Sequence, residues 1–258
     1  MTDTCDAQPF RPLDGPTFRF LCHGGIDCFT QCCADLHLVL TPYDILRTKN
    51  RLGISSDDFL NQYTDTRFDQ HARFPMVRLQ MNGDERRECP FVTPHGCSIY
   101  EDRPGACRMY PLGRATLKLD SEDTAREKFF VVAEGHCLGF QEQTLWTVKR
   151  WMEDQGVREY NAMNDHWLEI IGSTKGLGPE KAIQQKLQMF YMASYNPDKF
   201  RRMLYESSFF DLFAVDPEQR ERMASDDIAL MHFSFDWLKF SLFGESSVTL
   251  KSDRPLSR

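Results

Sequence analysis

The residues of this sequence best suited to chemistry are its cysteines. There are nine, and eight fall between Cys22 and Cys137, with Cys5 alone in the N-terminal tail. The first group runs Cys22-x5-Cys28-x3-Cys32-Cys33 and the second Cys89-x7-Cys97-x9-Cys107, with Cys137 further on. Four thiolates complete one site around a soft ion or cluster, so eight can supply two. Sulfur ligands select zinc, copper(I) or iron–sulfur chemistry over magnesium or calcium. Gathering thiolates is unfavourable without a cation, so bound metal should stabilise this region.

Spacing leaves the metal open. Zinc sites favour cysteine pairs two to four residues apart, and Cys28-x3-Cys32 is the one separation in that range. Iron–sulfur sites also use short spacings but often draw a remote fourth cysteine. Adjacent side chains point in different directions, so Cys32 and Cys33 can serve different sites, or one can ligate while the other packs. Proline, glycine and charged residues surround these cysteines, which argues against their being inert core residues. Cys5, alone in the N-terminal tail, is read as a non-ligand. His23, His95 and His136 lie near cysteines in sequence but are read as surface or outer neighbours.

Arg103 and Arg108 flank Cys107. Both are read as cofactor-binding candidates that steady the negative charge of a cluster or a bound anion, and cations here would favour the ligating thiolate. The other reading pairs them with carboxylates such as Asp102 or Asp44. The sequence contains no Walker-type phosphate loop, dinucleotide fingerprint, zinc-protease helix or hydrolase elbow. The radical-type Cys-x3-Cys-x2-Cys run is also missing, because Cys28-x3-Cys32 continues directly to Cys33.

The elements that must position these groups suggest an α+β chain. The formal net charge is −7 over 258 residues, which disfavours non-specific nucleic-acid binding. No apolar stretch approaches a membrane span or a signal peptide, so the expected location is the cytoplasm, where thiols stay reduced. A tail over residues 1–17 should precede a cysteine-cluster domain at 18–140, a helical region at 141–243 and a polar, frayed tail at 244–258. Thr41, Pro42 and Asp44 predict a capped helix that stops at Gly53, and Ser55 with Asp58 predicts a second. Val77–Met81, Thr116–Leu119 and Lys128–Val132 predict short strands, with a turn at Asn82-Gly83. Further helices are expected over Trp146–Asp154, after Pro179, at Asn196-Pro197 and Asp216-Pro217, and over Ile228–Phe243.

Several motifs then recur in a familiar order: Phe20-x-Cys22, Cys28, Cys32-Cys33, Leu40-Thr41-x-x-Asp44, Cys89-Pro90-Phe91, and Cys97-x-Ile99-Tyr100-x-x-Arg103-Pro104-x-x-Cys107-Arg108-x-Tyr110-Pro111. Together they resemble the YkgJ-type cysteine-cluster family, described as chelating zinc or iron, over roughly residues 18–112. The resemblance implies metal ligation by Cys22, Cys28, Cys32, Cys33, Cys89, Cys97 and Cys107. Cys137 joins them on ligand counting alone. The commoner family form is Cys-x2-Cys-Gly-x-Cys-Cys; here the first two gaps are longer and Thr30-Gln31 replaces the glycine step, leaving the grouping open. One branch includes flagellin lysine methylases, but the chain after Gly139 lies outside the shared motifs, so methylase activity is not carried over. The expected function is metal binding, through an iron–sulfur cluster with a redox or protein-modification-linked role. The alternative is a zinc-stapled interaction module without catalysis. In either case a protein partner or substrate is expected at the helical region, and neither nucleic acid nor membrane.

Overall fold

A computed structural model describes residues 10–117 and 126–251. Cys5, the far end of the strand predicted at Thr116–Leu119, most of the charged segment after it and the last residues of the tail lie outside them. The chain divides into two compact units. One holds the residues up to Leu38 together with Met81–Asn161, and the other holds Val39–Gln80 together with the residues from Ala162 onward. Helices with small antiparallel sheets make the class α+β. No helix among the described residues is long and apolar enough to cross a membrane.

In chain order, β1 (Phe10–Pro12) and β2 (Thr17–Arg19) precede β3 (Val39–Leu40), α1 (Pro42–Leu52) and α2 (Ser56–Tyr63). Then come β4 (Thr64–Arg67), β5 (Met76–Leu79), β6 (Val92–Thr93), β7 (Gly96–Cys97) and α3 (Gly105–Met109). β8 (Leu112–Leu117), β9 (Arg126–Val132), β10 (Leu145–Thr147), α4 (Val148–Asp154) and α5 (Val157–Ile171) follow. The remaining elements are α6 (Glu180–Tyr195), α7 (Pro197–Glu206), α8 (Phe209–Leu212), β11 (Phe213–Ala214), α9 (Pro217–Ser225), α10 (Asp227–Phe243) and β12 (Thr249–Leu250).

The cysteine-bearing unit is built on the antiparallel sheet β1-β9-β8 and the β2–β10 pair. Its core is aromatic: Phe18 and Phe20 pack edge-to-face on Trp151, with Met109, Leu112 and Val157 completing the cluster. Tyr110, Cys137 and Phe140 pack against that cluster, so the core reaches the thiols directly. α3 is a single short turn that carries Cys107, and buried Arg108 fixes it. Its guanidinium donates to the carbonyls of Arg103 (3.1 Å), Gln155 (2.8 Å) and Glu101, and lies 4.6 Å from the Tyr160 ring centre. Arg103 donates to the Tyr100 carbonyl and the Gln155 side chain and stacks 3.8 Å over the Tyr100 ring. These arginines therefore bond chiefly to the chain's own carbonyls.

The second unit shows the expected caps. Thr41 Oγ1 accepts the Asp44 amide at 3.2 Å while Asp44 Oδ2 accepts the Thr41 amide at 2.8 Å, and Gly53 ends α1 in the left-handed region at φ 65°. Ser55 Oγ accepts the Asp58 amide at 3.0 Å to start α2. In β5, Met76, Val77 and Leu79 are buried between β3 and β4, while Arg78 pairs with Asp65. α10 is apolar on most sides and buries Leu230, Phe233, Phe235, Trp237, Leu238 and Leu242, as a core helix must. Between α1, α7 and α10, buried Lys49 lies 3.5 Å from Asp198 and 3.8 Å from Asp227, and Asp227 also accepts from Arg201 and Asn50.

Three sequence expectations change. Residues 39–80 group with the helical unit, because α1 packs on α6 and α2 on α7. Trp146 belongs to β10, paired with Phe18, so the helix predicted from it begins only at Val148, where Thr147 caps. α5 falls in the region expected to be helical, although no individual helix was assigned there. The polar tail is not frayed throughout: Thr249 and Leu250 pair with Ala214 and Phe213, and Val248 is buried.

Two predictions follow from this framework. Burial opposes ionisation of Asp227, but Arg201, Asn50 and Lys49 outweigh it and hold the carboxyl below its usual range. A depressed carboxyl contributes stability that is present above the unfolded pKa, about 3.9, and is lost as pH falls through the folded value. Asp227→Asn should therefore be less stable than the parent near neutrality, with the gap closing as pH falls below about 4 in thermal unfolding followed by circular dichroism. A gap that widens on acidification would contradict the sign. Arg108→Ala should lose about 2–4 kcal/mol in denaturant unfolding, since it strips three carbonyls of their donor. Arg108→Lys should recover little of this, because one ammonium cannot replace the planar fork.

Candidate metal centre

The thiols arrive from four separate segments, and backbone contacts decide which meet. Phe20 and Leu21 donate to the carbonyls of Thr144 (3.0 Å) and Gly139 (3.1 Å), which brings Cys22 beside the chain around Cys137. Gly139 is required there: a Cβ would stand 2.7 Å from the Phe20 ring and 2.9 Å from the Leu21 carbonyl. The next amide, Leu138 N–H, donates to Cys28 Sγ at 3.2 Å. A turn closed by Gln31 N–H on the Cys28 carbonyl (3.0 Å) then leads through left-handed Thr30 into the short 3-10 turn Gln31–Cys33. Cys22 is exposed as a residue, yet its sulfur is partly shielded. That shielding and the fields of Cys32, Cys28 and Cys137 push its thiol up to about 11.

A different set of contacts holds the second neighbourhood. Cys89 N–H donates to the Cys33 carbonyl at 2.8 Å, beside the Ala34–Glu88 bridge. Val92 N–H donates back to the Cys89 carbonyl at 3.0 Å, and the β6–β7 hairpin sets Cys97 opposite Val92. Gly96 turns that hairpin at φ 111°, a conformation that favours glycine. Cys33 lies in the fields of Cys107 and Cys89, and Cys89 in that of Cys97. Arg103 acts on Cys97 and Cys107.

Cys32 and Cys33 join the two neighbourhoods. The Cys33 thiol donates to Cys32 Sγ, which holds Cys32 below the usual thiol range and raises Cys33. Burial raises Cys89, Cys97 and Cys137. Against that, backbone amides converge on the sulfurs: Phe91 and Val92 on Cys89, Ile99 on Cys97, and Gly139 on Cys137. Amides aimed at sulfur favour the thiolate, the form that ligates. Among the described residues, no three Cys, His, Asp or Glu side chains already share the geometry of an ion site. The donor set nonetheless fits a soft metal in chemistry, with eight thiols in two neighbourhoods and hydrogen-bond donors supplied to their sulfurs.

Around the thiols, Tyr110 stands beside Cys137, and burial together with that neighbour raises its own pKa, while its buried hydroxyl has no hydrogen-bond partner among the described residues. The charge of Glu134 acts on Cys32 and Tyr110, which nothing in the sequence singles out because these partners lie far away along the chain. His136 lies 3.4 Å from Glu134, and His23 lies 3.6 Å from Glu142. His95 sits in the turn ahead of β7, where its amide bonds to Thr93. Asp44, a proposed partner for the arginines, caps α1 instead. Arg103 and Arg108 keep their place beside Cys107, with most of their donors on carbonyls.

Comparison with known families matches residues 21–138 to the CxxCxxCC model, described as a "putative zinc- or iron-chelating domain". The match takes in Cys137 as well as the seven cysteines before it, and covers under half of the chain. No curated protein and no solved structure matches. Residues 21–138 thus match the CxxCxxCC family, which is the YkgJ-type family that the cysteine and arginine motifs resemble.

Proposed function

We propose that this chain holds an iron–sulfur cluster on its clustered thiolates and uses it in a redox or protein-modification-linked role. The proposed ligands are Cys22, Cys28, Cys32, Cys33, Cys89, Cys97, Cys107 and Cys137. The observation that carries this reading is the convergence of backbone amides on the sulfurs of Cys28, Cys89, Cys97 and Cys137. Donors aimed at sulfur stabilise ligating thiolates and tune the potential of a cluster bound there. When bound, such a cluster supplies one-electron chemistry. The long, irregular spacings fit a cluster better than paired zinc knuckles, which repeat short gaps.

The chain's own residues would do the rest. Arg103 would temper the negative charge near Cys97 and Cys107, and partly buried Tyr110 would shield Cys137 from solvent. A partner protein would meet the helical unit. There a cleft of about 350 Å³ is lined by Tyr205, Phe210, Phe213, Arg220, Glu221 and Lys251, a mix of aromatic groups and charges of both signs suited to an aromatic segment. The reduced thiols suit the cytoplasm.

Purification without oxygen, followed by metal analysis and visible spectroscopy, tests this reading. Brown protein with iron and acid-labile sulfide is expected, and Cys32→Ser and Cys107→Ser should each lose metal while Cys5→Ser keeps it. A colourless protein with stoichiometric zinc and no sulfide would replace the cluster with the zinc-stapled interaction module.

A further inference from the structure

We infer that the eight cysteines form two separate four-thiolate sites, Cys22/Cys28/Cys32/Cys137 and Cys33/Cys89/Cys97/Cys107, with the Cys32–Cys33 peptide shared between them. The inference rests on the metal-binding reading above and adds the number of sites and the members of each. The first set is drawn together by the Leu21–Gly139 hydrogen bond at 3.1 Å, by the Leu138 amide on Cys28 Sγ at 3.2 Å, and by the turn from Cys28 to Cys32. The second set is tied by the Cys33–Cys89 backbone bond at 2.8 Å and by the β6–β7 hairpin that returns Cys97 to Cys89. Cys107 comes to it on α3, in range of Cys33.

The adjacent pair marks where the two sets meet. Cys32 lies in range of Cys22 and Cys137, and Cys33 in range of Cys89 and Cys107, so the sets adjoin at this pair, whose thiols hydrogen-bond to each other. Each set then reaches four, the number that completes a thiolate site for zinc or for a cubane cluster. The two sets differ in surroundings. The first has exposed Cys22, Tyr110 and Glu134 at its margin, and an open polar depression beside it that Asp27, Gln31, Arg86 and His136 help to line. The second lies near the buried Arg103 and contains no exposed cysteine. That contrast suits a more accessible first site and a more closed second one.

The test counts metal in the full chain after anaerobic loading with ferrous iron and sulfide, and in parallel with cobalt(II), whose thiolate charge-transfer absorption reports sulfur ligation. The parent should take two equivalents of cobalt. Cys28→Ala and Cys137→Ala should each lose half the bound metal, and the double variant should lose no more than either alone. Cys33→Ala and Cys107→Ala should lose the other half, and Cys28→Ala/Cys107→Ala should lose all of it. Far-UV circular dichroism on each variant separates ligand loss from unfolding. If a variant does not fold, the cobalt equivalence point of the parent still decides. One equivalent, or complete loss from a single folded variant, would overturn the division while leaving metal binding intact. A parent that takes up neither iron nor cobalt would overturn the metal-binding reading itself.

Discussion

Thiolates repel one another and lose hydration when they are gathered, and one unit of this chain holds eight cysteines. Burial raises the thiols of Cys89, Cys97 and Cys137, and a neighbour's hydrogen bond raises Cys33. The protein chain alone therefore favours the neutral form at these positions, while the amides aimed at the sulfurs prepare the ionised form. A soft cation resolves the conflict by taking the negative charge. Folding of this unit and occupancy of its metal sites are on this account one equilibrium.

The rest of the cysteine-bearing unit can be understood as what brings four chain segments together. Phe20 and Trp151 anchor β2 beside α4, and Gly139 lets the backbone after Cys137 come against Phe20. Arg108 ties α3, and hence Cys107, to the carbonyls of Glu101, Arg103 and Gln155. The helical unit has its own logic, an aromatic core around Phe190, Tyr195 and Trp167 and an ion network around Lys49. Its stability needs no metal in this account.

Local chemistry was legible in the sequence, and long-range pairing was not. Thr41 with Asp44, Ser55 and Gly53 announced α1 and α2 because a cap is a contract between residues three or four apart. The strand around Val77 was legible for the same reason, through its alternation. Trp146 read as helical because nothing nearby reveals that Phe18 will pair with it. α5 was not assigned individually because it follows Gly156 closely and its start carries no serine, threonine or asparagine cap. The cysteines were legible as candidate metal ligands by type and number. Their grouping was not, since it turns on bonds such as Cys33–Cys89 and Leu138–Cys28 that span the unit. The arginines were legible as neighbours of Cys107, but not as donors to carbonyls.

The central claim is that metal and the fold of the cysteine-bearing unit are coupled, and hydrogen exchange measured on the metal-loaded and metal-free reduced chain tests it most directly. The account predicts that the amides of Leu21, Cys89 and Val92 lose protection when metal is removed, while those within α6 and α10 keep theirs. Equal protection of the Leu21, Cys89 and Val92 amides in both forms would contradict it.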